Sequence, residues 1–525
     1  MGANVTAAPR KAAEMVPKAD PERDLTRAQR RAVAAAERIP LIQAVFDLAE
    51  EHEIPLCLVG GTVRDLLLGR DTHDLDYAVD GDGLAIARRV ANALGGAYVP
   101  LDRERRTGRV VLRRQDAPGE FEVDALDFAS FRGPTLEADL DDRDLTINAM
   151  ALCRAADGSF ALIDPLGGSR DLHARVLRAT SSHAFLDDPV RTLRAVRQGI
   201  QFGCQIEAQT RAWLAEAAPY LSTVSPERVR DEWFRMLAQP RAADAIQQLE
   251  HLGLLSQIAP PVAALARLPA PSAALDDALT HAIEVLRALE AIWEVLQARH
   301  SGALELPATA YAVAPHLLRR YQAPVSDQRP RLALLKCAAL LHRVGLARPG
   351  DGTAPGEPDA GESATIAGKL ARSWHCSNAE ADALRVTVAA RGRAVRLAQT
   401  ACLDRRTIHR YYRWAGAHGV DAAYLALADA WASQAHGLPV AAWRPYAEGL
   451  ARLWEAFYCE HDEVIAPPPL LSGHDLLQLG MTPGPQIGEL LAHVREEQAA
   501  GQIETRAQAL AAAQAWLGVN EKHET

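Results

Sequence analysis

The stretch Leu58–Val79, LVGGTVRDLLLGRDTHDLDYAV, restricts what this chain can fold into more than any other. An apolar, strand-like run over Ile54–Val59 stops at the pair Gly60-Gly61. A helix-like segment, Thr62–Leu68, follows, and a second apolar strand carries Asp74-Leu75-Asp76. Residues i and i+2 of a strand share a face, so Asp74 and Asp76 aim two carboxylates at one point. Adjacent carboxylates repel unless a cation lies between them. Hard oxygen ligands of this kind suit Mg²⁺, which takes one or two carboxylates plus substrate phosphates. The glycines allow close backbone approach, and the helix start behind them offers N–H groups to phosphate. Arg64 is placed as a phosphate clamp. A glycine pair or an Asp-x-Asp alone is usually structural. In this order, with an arginine three residues after the second glycine, they point to phosphoryl or nucleotidyl transfer.

GGTVRD followed by HDLDYAV resembles the active-site signature of the class II tRNA nucleotidyltransferase / poly(A) polymerase family. The resemblance implies an α+β, polymerase-beta-like head with a mixed sheet, then an all-α neck, body and tail. It puts a third carboxylate on the strand Glu120–Ala129. The match to LDFASFRGPTLEADL favours Asp127, with Asp124 on the opposite strand face as the competitor. Residues 139–151, DLDDRDLTINAMA, resemble the family's RRDFTINA segment, with Leu145 in place of Phe and Asp142 in place of the first Arg. This carries Arg143 onto the nucleotide triphosphate, with Asp144 and Asn148 shaping ribose and loop contacts. A helix N-terminus capped by Asp141 or Asp142 explains the same residues and is compatible with that role. The following DPLGGSRDL (164–172) is similar to the family's DPFGG-DL, and its glycines read as structural.

The segment FLDDPVRTLRAVR (185–197) places Pro189 in the first turn of a helix, where its missing N–H costs nothing. Asp188, Arg191, Arg194 and Arg197 recur every third residue. Aspartate presents acceptors and arginine a rigid plane of donors. The Asp188–Arg191 pair can therefore hydrogen-bond the Watson–Crick edge of C or A without a template. Arg194 and Arg197 are left for phosphate and bracing. Charges at this spacing also suit a solvated helix face. The similarity to the family's E/D-D-P-x-R-x-x-R-A-x-R motif, with Asp187 for Glu, favours nucleotide selection. Val224–Leu237 begins with Ser225 as N-cap and Pro226 at the next position, and its Glu227, Arg228 and Glu232 read as braces.

The 525 residues and net charge of −10 allow several domains and exclude a wholesale basic coat. None of the seven cysteines forms a CxxC, which argues against zinc sites and a disulfide framework. No run reaches transmembrane length and no apolar leader is present, so no membrane role and a reducing cytoplasm are expected. The expected layout is a mobile tail over 1–27, the head over 28–178, a nucleotide-selecting neck over 179–245, a body over 246–465 and an RNA-binding helical tail over 466–525. The basic hairpin LDRERRTGRVVLRR (101–114) is either solvated or in contact with phosphate or RNA. Arg331–Gly345 looks like the metal-binding helix of the HD phosphohydrolase fold. Its hallmark His-Asp is His342-Arg343 here, and Gly361 stands at the next histidine position, so that metal site is expected to be lost. Basic residues and tyrosines in DRRTIHRYYRW (404–414) suit either RNA contact or helix packing.

The function implied is addition of C, C and A from CTP and ATP to the 3′ end of tRNA by two-Mg²⁺ transfer, with Asp74 and Asp76 as metal ligands and no stable protein partner. Alternatives on the same head are poly(A) polymerase, A-only or CC-only activity. An HD-type hydrolase and an RNA-binding module with an inactive head are further alternatives.

Overall fold

The computed structural model describes residues 21–72, 74–112, 125–270, 275–298, 305–326, 329–346, 360–400, 402–434 and 440–520. The chain divides into two compact units, one of residues 1–191 with 202–213, the other of 192–201 with 214–525.

The first unit is built on a seven-stranded mixed sheet. Its strands are β1 (Leu56–Val59), β2 (Asp74–Val79), β3 (Ala97–Asp102), β4 (Thr107–Val111), β5 (Ala125–Ser130), β6 (Ala151–Arg154) and β7 (Phe160–Ile163), in spatial order β3-β4-β5-β2-β1-β6-β7. β2 and β5 run parallel; the other neighbours are antiparallel. β1 is buried on both faces, as its unbroken apolar run requires. The expected helix after the glycines is Gly61–Leu68, ended by Gly69 in the left-handed conformation at φ +66°. Gly83–Leu94 is capped by the Asp82 carboxylate, which accepts from Leu84 N and Ala85 N, and it stops at Gly95.

Two expectations are corrected here. Residues 21–27, placed in the mobile tail, belong to the helix Pro21–Arg38; residues 1–20 lie outside the described residues. The helix packs alongside Gly61–Leu68, where the Arg31 guanidinium lies over Gly69 and donates to Leu67 O. The expectation of no disulfide fails at one pair. Cys57 on β1 stands directly opposite Cys153 on β6, and the two are bonded across 96 residues of sequence. Strand register creates this pair, and cysteine spacing carries no sign of it.

The second unit is helical. Its longer helices include Ala278–Ala298, Ala308–Gln322, Arg331–Leu341, Asn378–Ala398, His418–Gln434 and Val440–Cys459. Asp421 is buried and receives two hydrogen bonds from Arg320, at 3.0 and 2.9 Å, and one from Arg331 at 3.2 Å. Near the C-terminus, Leu476, Leu490, Val494, Ile503, Ala509 and Ala513 form a small core of their own. Gly484 and Pro485 open the helix Pro485–Ala499. No helix among the described residues is long and apolar enough to cross a membrane.

Candidate active site

Strand alternation puts Asp74 and Asp76 on one face of β2. The parallel register sets Asp76 beside Asp127 of β5, and the antiparallel register sets Arg109 of β4 beside Asp127. Asp76, Asp127 and Arg109 thus form a row across three adjacent strands. Burial pushes the Asp76 carboxyl up to about 6, and the charges of Asp127 and Asp74 add to that, against the opposing pull of Arg143 and Arg109. A half-buried acid crowded by two others is a group short of positive charge. Arg109 supplies part of it through a two-bond fork: Nε to Asp127 Oδ1 and Nη2 to Asp127 Oδ2, both at 2.7 Å. Asp124 and Glu122 lie outside the described residues.

The glycine turn is shaped to meet this row. Gly60 adopts φ +68°, and a Cβ there would come within 2.8 Å of Arg143 Nη1. Only glycine fits both demands. Thr62, in the first turn of Gly61–Leu68, accepts from Asp76 N at 3.0 Å and donates to Asp74 O at 3.2 Å, so the helix start is tied to the strand between its two carboxylates. Arg143 is held by Asp139, whose Oδ2 accepts from Nε at 3.2 Å and Nη2 at 2.9 Å. The sequence motif assigns no role to Asp139, and its i,i+4 spacing from Arg143 is the one signal of the pair. Arg132 joins the basic side of the site. Burial lowers its pKa, and the charges of Arg143 and Arg191 lower it further. Arg132 thus lies within electrostatic reach of both Arg143 and Arg191, a concentration of positive charge that can attract a polyanion.

Other sequence-predicted residues turn inward. Arg64 is buried, and its donors go to Asp65 at 3.0 and 3.1 Å and to Asn148 Oδ1 at 2.6 Å, with Phe202 beneath the guanidinium at 4.3 Å. Asn148 in turn donates to Asp144 Oδ1 at 2.9 Å. Arg64, Asn148 and Asp144 are thus one buried network that fixes the glycine helix against the 143–150 loop. A Cβ at Gly61 would stand 3.3 Å from Arg64 Nη2, so that guanidinium would have to give by a few tenths of an ångström. Gly168 is structural, because a Cβ would overlap Thr146 O.

Asp188 and Arg191 face each other loosely, Oδ2 to Nε at 3.9 Å, while Arg191 Nη1 donates to Ala184 O at 3.1 Å. In the second unit, Arg194 and Arg197 converge on the buried Glu232, at 3.8 and 2.8 Å. Glu232 acts as a brace, as its place in the sequence suggests. Glu227 pairs instead with His375 at 2.6 Å.

In the region likened to the HD fold, His342 gathers with two residues from elsewhere in the helical unit. His342, His281 and Asp429 bring ligand-type atoms within 4.8 Å of one another. His281 Nε2 lies 2.8 Å from Asp429 Oδ1, and Arg391 engages the other carboxylate oxygen. A guanidinium therefore already answers the buried charge of Asp429. The tyrosines considered for base stacking are core residues: Tyr411 and Tyr412 are buried and donate to Gly419 O and Leu453 O, both at 2.8 Å. Arg406 and Arg410 are bound by Glu497 and Glu496, each at 2.8 Å.

Residues 56–178 match the family model described as the poly A polymerase head domain, and residues 203–265 match that of a probable RNA and SrmB-binding site of polymerase A. A CC-adding tRNA nucleotidyltransferase of Geobacter sulfurreducens is 42% identical over 219 residues, 42% of this chain and 49% of the relative, so the match spans about half of that protein. An A-adding tRNA nucleotidyltransferase of Deinococcus radiodurans is 32% identical over 481 residues, 87% of this chain and 95% of the relative. The solved complex of a CCA-adding enzyme with ATP has the same fold, with a TM-score of 0.64 at 20% identity over 94% of this chain and 99% of that one. On the likeness that runs almost the full length of the Deinococcus enzyme, this chain belongs to the tRNA nucleotidyltransferase family and is an enzyme of that kind.

Proposed function

We propose that the chain adds C, C and A, from CTP and ATP, to the 3′ end of tRNA. The observation that carries this reading is the acidic row. Asp74 and Asp76 share a face, Asp127 stands beside Asp76 in register, and the Asp76 carboxyl is raised to about 6 by burial and by its two acidic neighbours. Such a donor set fits a hard divalent cation. Asp74, Asp76 and Asp127 would hold Mg²⁺, which when bound neutralises phosphate charge and makes the attacking hydroxyl more acidic.

The residues then divide the work. Gly60 keeps the backbone open beside Asp76, and Arg143, steadied by Asp139, offers its remaining donors to the triphosphate. Asp127 stands on the side of the 3′-hydroxyl end of the RNA; that hydroxyl gives up its proton to water as its oxygen attacks the α-phosphate in line and pyrophosphate leaves. Asp188 and Arg191 select C or A by offering acceptors and donors to the base edge. Arg64, Asp144 and Asn148 act from beneath, by fixing the loop that carries Arg143. Arg194 and Arg197 act as braces through Glu232. With tRNA as its substrate, the enzyme works in the cytoplasm.

A second reading is favoured by a specific observation. The two relatives described above are a CC-adding and an A-adding tRNA nucleotidyltransferase, so a partial enzyme acting beside a complementary one is the competing account. Both accounts share the chemistry, which the variant Asp76→Ala tests. It should abolish nucleotide incorporation while leaving the circular dichroism spectrum and tRNA affinity largely intact. Incorporation near the wild-type rate would sink the assignment of the acidic row.

A further inference from the structure

The hairpin around β3 and β4 is rich in arginine, and Arg103, Arg105 and Arg106 are exposed. Arg109 differs from them. It sits opposite Asp127 in the β4–β5 register and commits two donors to the two oxygens of that carboxylate, each at 2.7 Å. An aspartate held by one bond can still turn about its last torsion. One held by a planar fork cannot. The same guanidinium also lies close enough to Asp74 and Asp76 to feel their charges.

We propose that Arg109 is a positioning residue for nucleotidyl transfer. It fixes the Asp127 carboxylate beside Asp76, and its charge sets how strongly the three carboxylates take a divalent cation. The proposal rests on the reading of Asp127 as the third carboxylate of the site. Two separable properties of one side chain are involved. The fork gives geometry, which a lysine cannot reproduce. The charge opposes a second cation in the same acidic row, and a lysine keeps it while a methionine removes it.

The experiment measures Mn²⁺ binding to the full-length protein by electron paramagnetic resonance, at low ionic strength and without nucleotide. Single-turnover incorporation of CTP onto a tRNA transcript is measured alongside. Arg109→Met should bind Mn²⁺ about fivefold more tightly than wild type. Its rate of transfer should nonetheless fall about tenfold or more for want of an oriented Asp127. Arg109→Lys should keep wild-type Mn²⁺ affinity and share the loss of rate. Folding is checked by circular dichroism, and Arg109→Gln stands in for Arg109→Met if the latter fails to fold. Mn²⁺ affinity in the folded neutral variant equal to or weaker than wild type would overturn the charge role. A wild-type rate in Arg109→Lys would overturn the positioning role. Asp127→Asn separates the underlying reading: it should weaken Mn²⁺ binding, and unchanged binding there refutes Asp127 as a ligand, whatever Arg109 does.

Discussion

Reduction of the Cys57–Cys153 bond should loosen the head without changing its native contacts much. Cys57 is 8% exposed and packs with Val59, Ala78, Leu140, Ala149 and Ala151, an apolar cluster that two thiols can still fill. The effect of reduction therefore falls on the unfolded chain, which regains the freedom that the cross-link removes. The bond closes 96 residues of sequence. Loop-closure entropy for a loop of that size is worth about 4.7 kcal/mol at 25 °C, and relaxation of the reduced state lowers the observed value to about 3–4 kcal/mol. The assay is hydrogen exchange of backbone amides in β1, β2 and β6, under conditions where exchange follows global opening of the head, with and without a dithiol reductant. About 4 kcal/mol corresponds to roughly a thousandfold faster exchange in the reduced protein. The Cys57→Ala/Cys153→Ala double variant should match the reduced wild type and should not respond to reductant. A change under about 1 kcal/mol, with a mass shift confirming complete reduction, would refute the unfolded-state account of this bond. The cluster also includes Leu140 and Ala149, which flank the loop carrying Arg143, so the same experiment should show faster exchange in residues 143–150.

Two further predictions concern the helical unit. Asp421→Asn should destabilise the protein by about 3–5 kcal/mol in urea unfolding, because it leaves Arg320 and Arg331 gathered around a buried amide; a loss under about 1 kcal/mol would show that the arginines relax to solvent. His342 is fully buried, which drives its pKa down to about 4 despite the Asp429 carboxylate 3.6 Å from its Nε2. Its folded pKa lies below the unfolded value near 6.5, so the stability that its neutral form contributes is present above pH 6.5 and is lost as pH falls from there to about 4. The full loss is about 3 kcal/mol. His342→Gln should flatten the fall in melting temperature across that window, and an unaltered slope would contradict the assignment.

The sequence disclosed the chemistry where it depends on neighbours in the chain. Gly60, Gly61, Asp74 and Asp76 lie within one strand–turn–helix–strand unit, so spacing and strand parity suffice to bring them together. Asp127 could be named only with Asp124 as rival, because its face is set by the parallel pairing of β5 with β2, which is a tertiary fact. The same limit hid Arg109 in a hairpin of similar arginines and hid Cys57–Cys153 behind 96 residues. It also concealed the assembly of His281, His342 and Asp429, from two helices and the end of a third. The motif places Arg64 at the phosphates and Asp144 and Asn148 at the ribose and loop contacts, and polar residues in a motif look alike whether they touch ligand or each other. Burial makes the difference, and it pairs Arg64 with Asn148 and Asn148 with Asp144. Tyr411 and Tyr412 illustrate the converse, since a basic helix with aromatic residues reads as an RNA face until its rings are found in the core.

The most direct test is incorporation of labelled CTP and ATP, with Mg²⁺, onto three transcripts of one tRNA: one lacking CCA, one ending in C and one ending in CC. The account predicts stepwise addition of C, C and A that then stops, with each transcript entering at its own step. Addition of A alone to the CC end, or of CC alone without A, would contradict complete CCA synthesis and establish a partial enzyme. Long A tails, or no incorporation on any transcript, would contradict the account at its root.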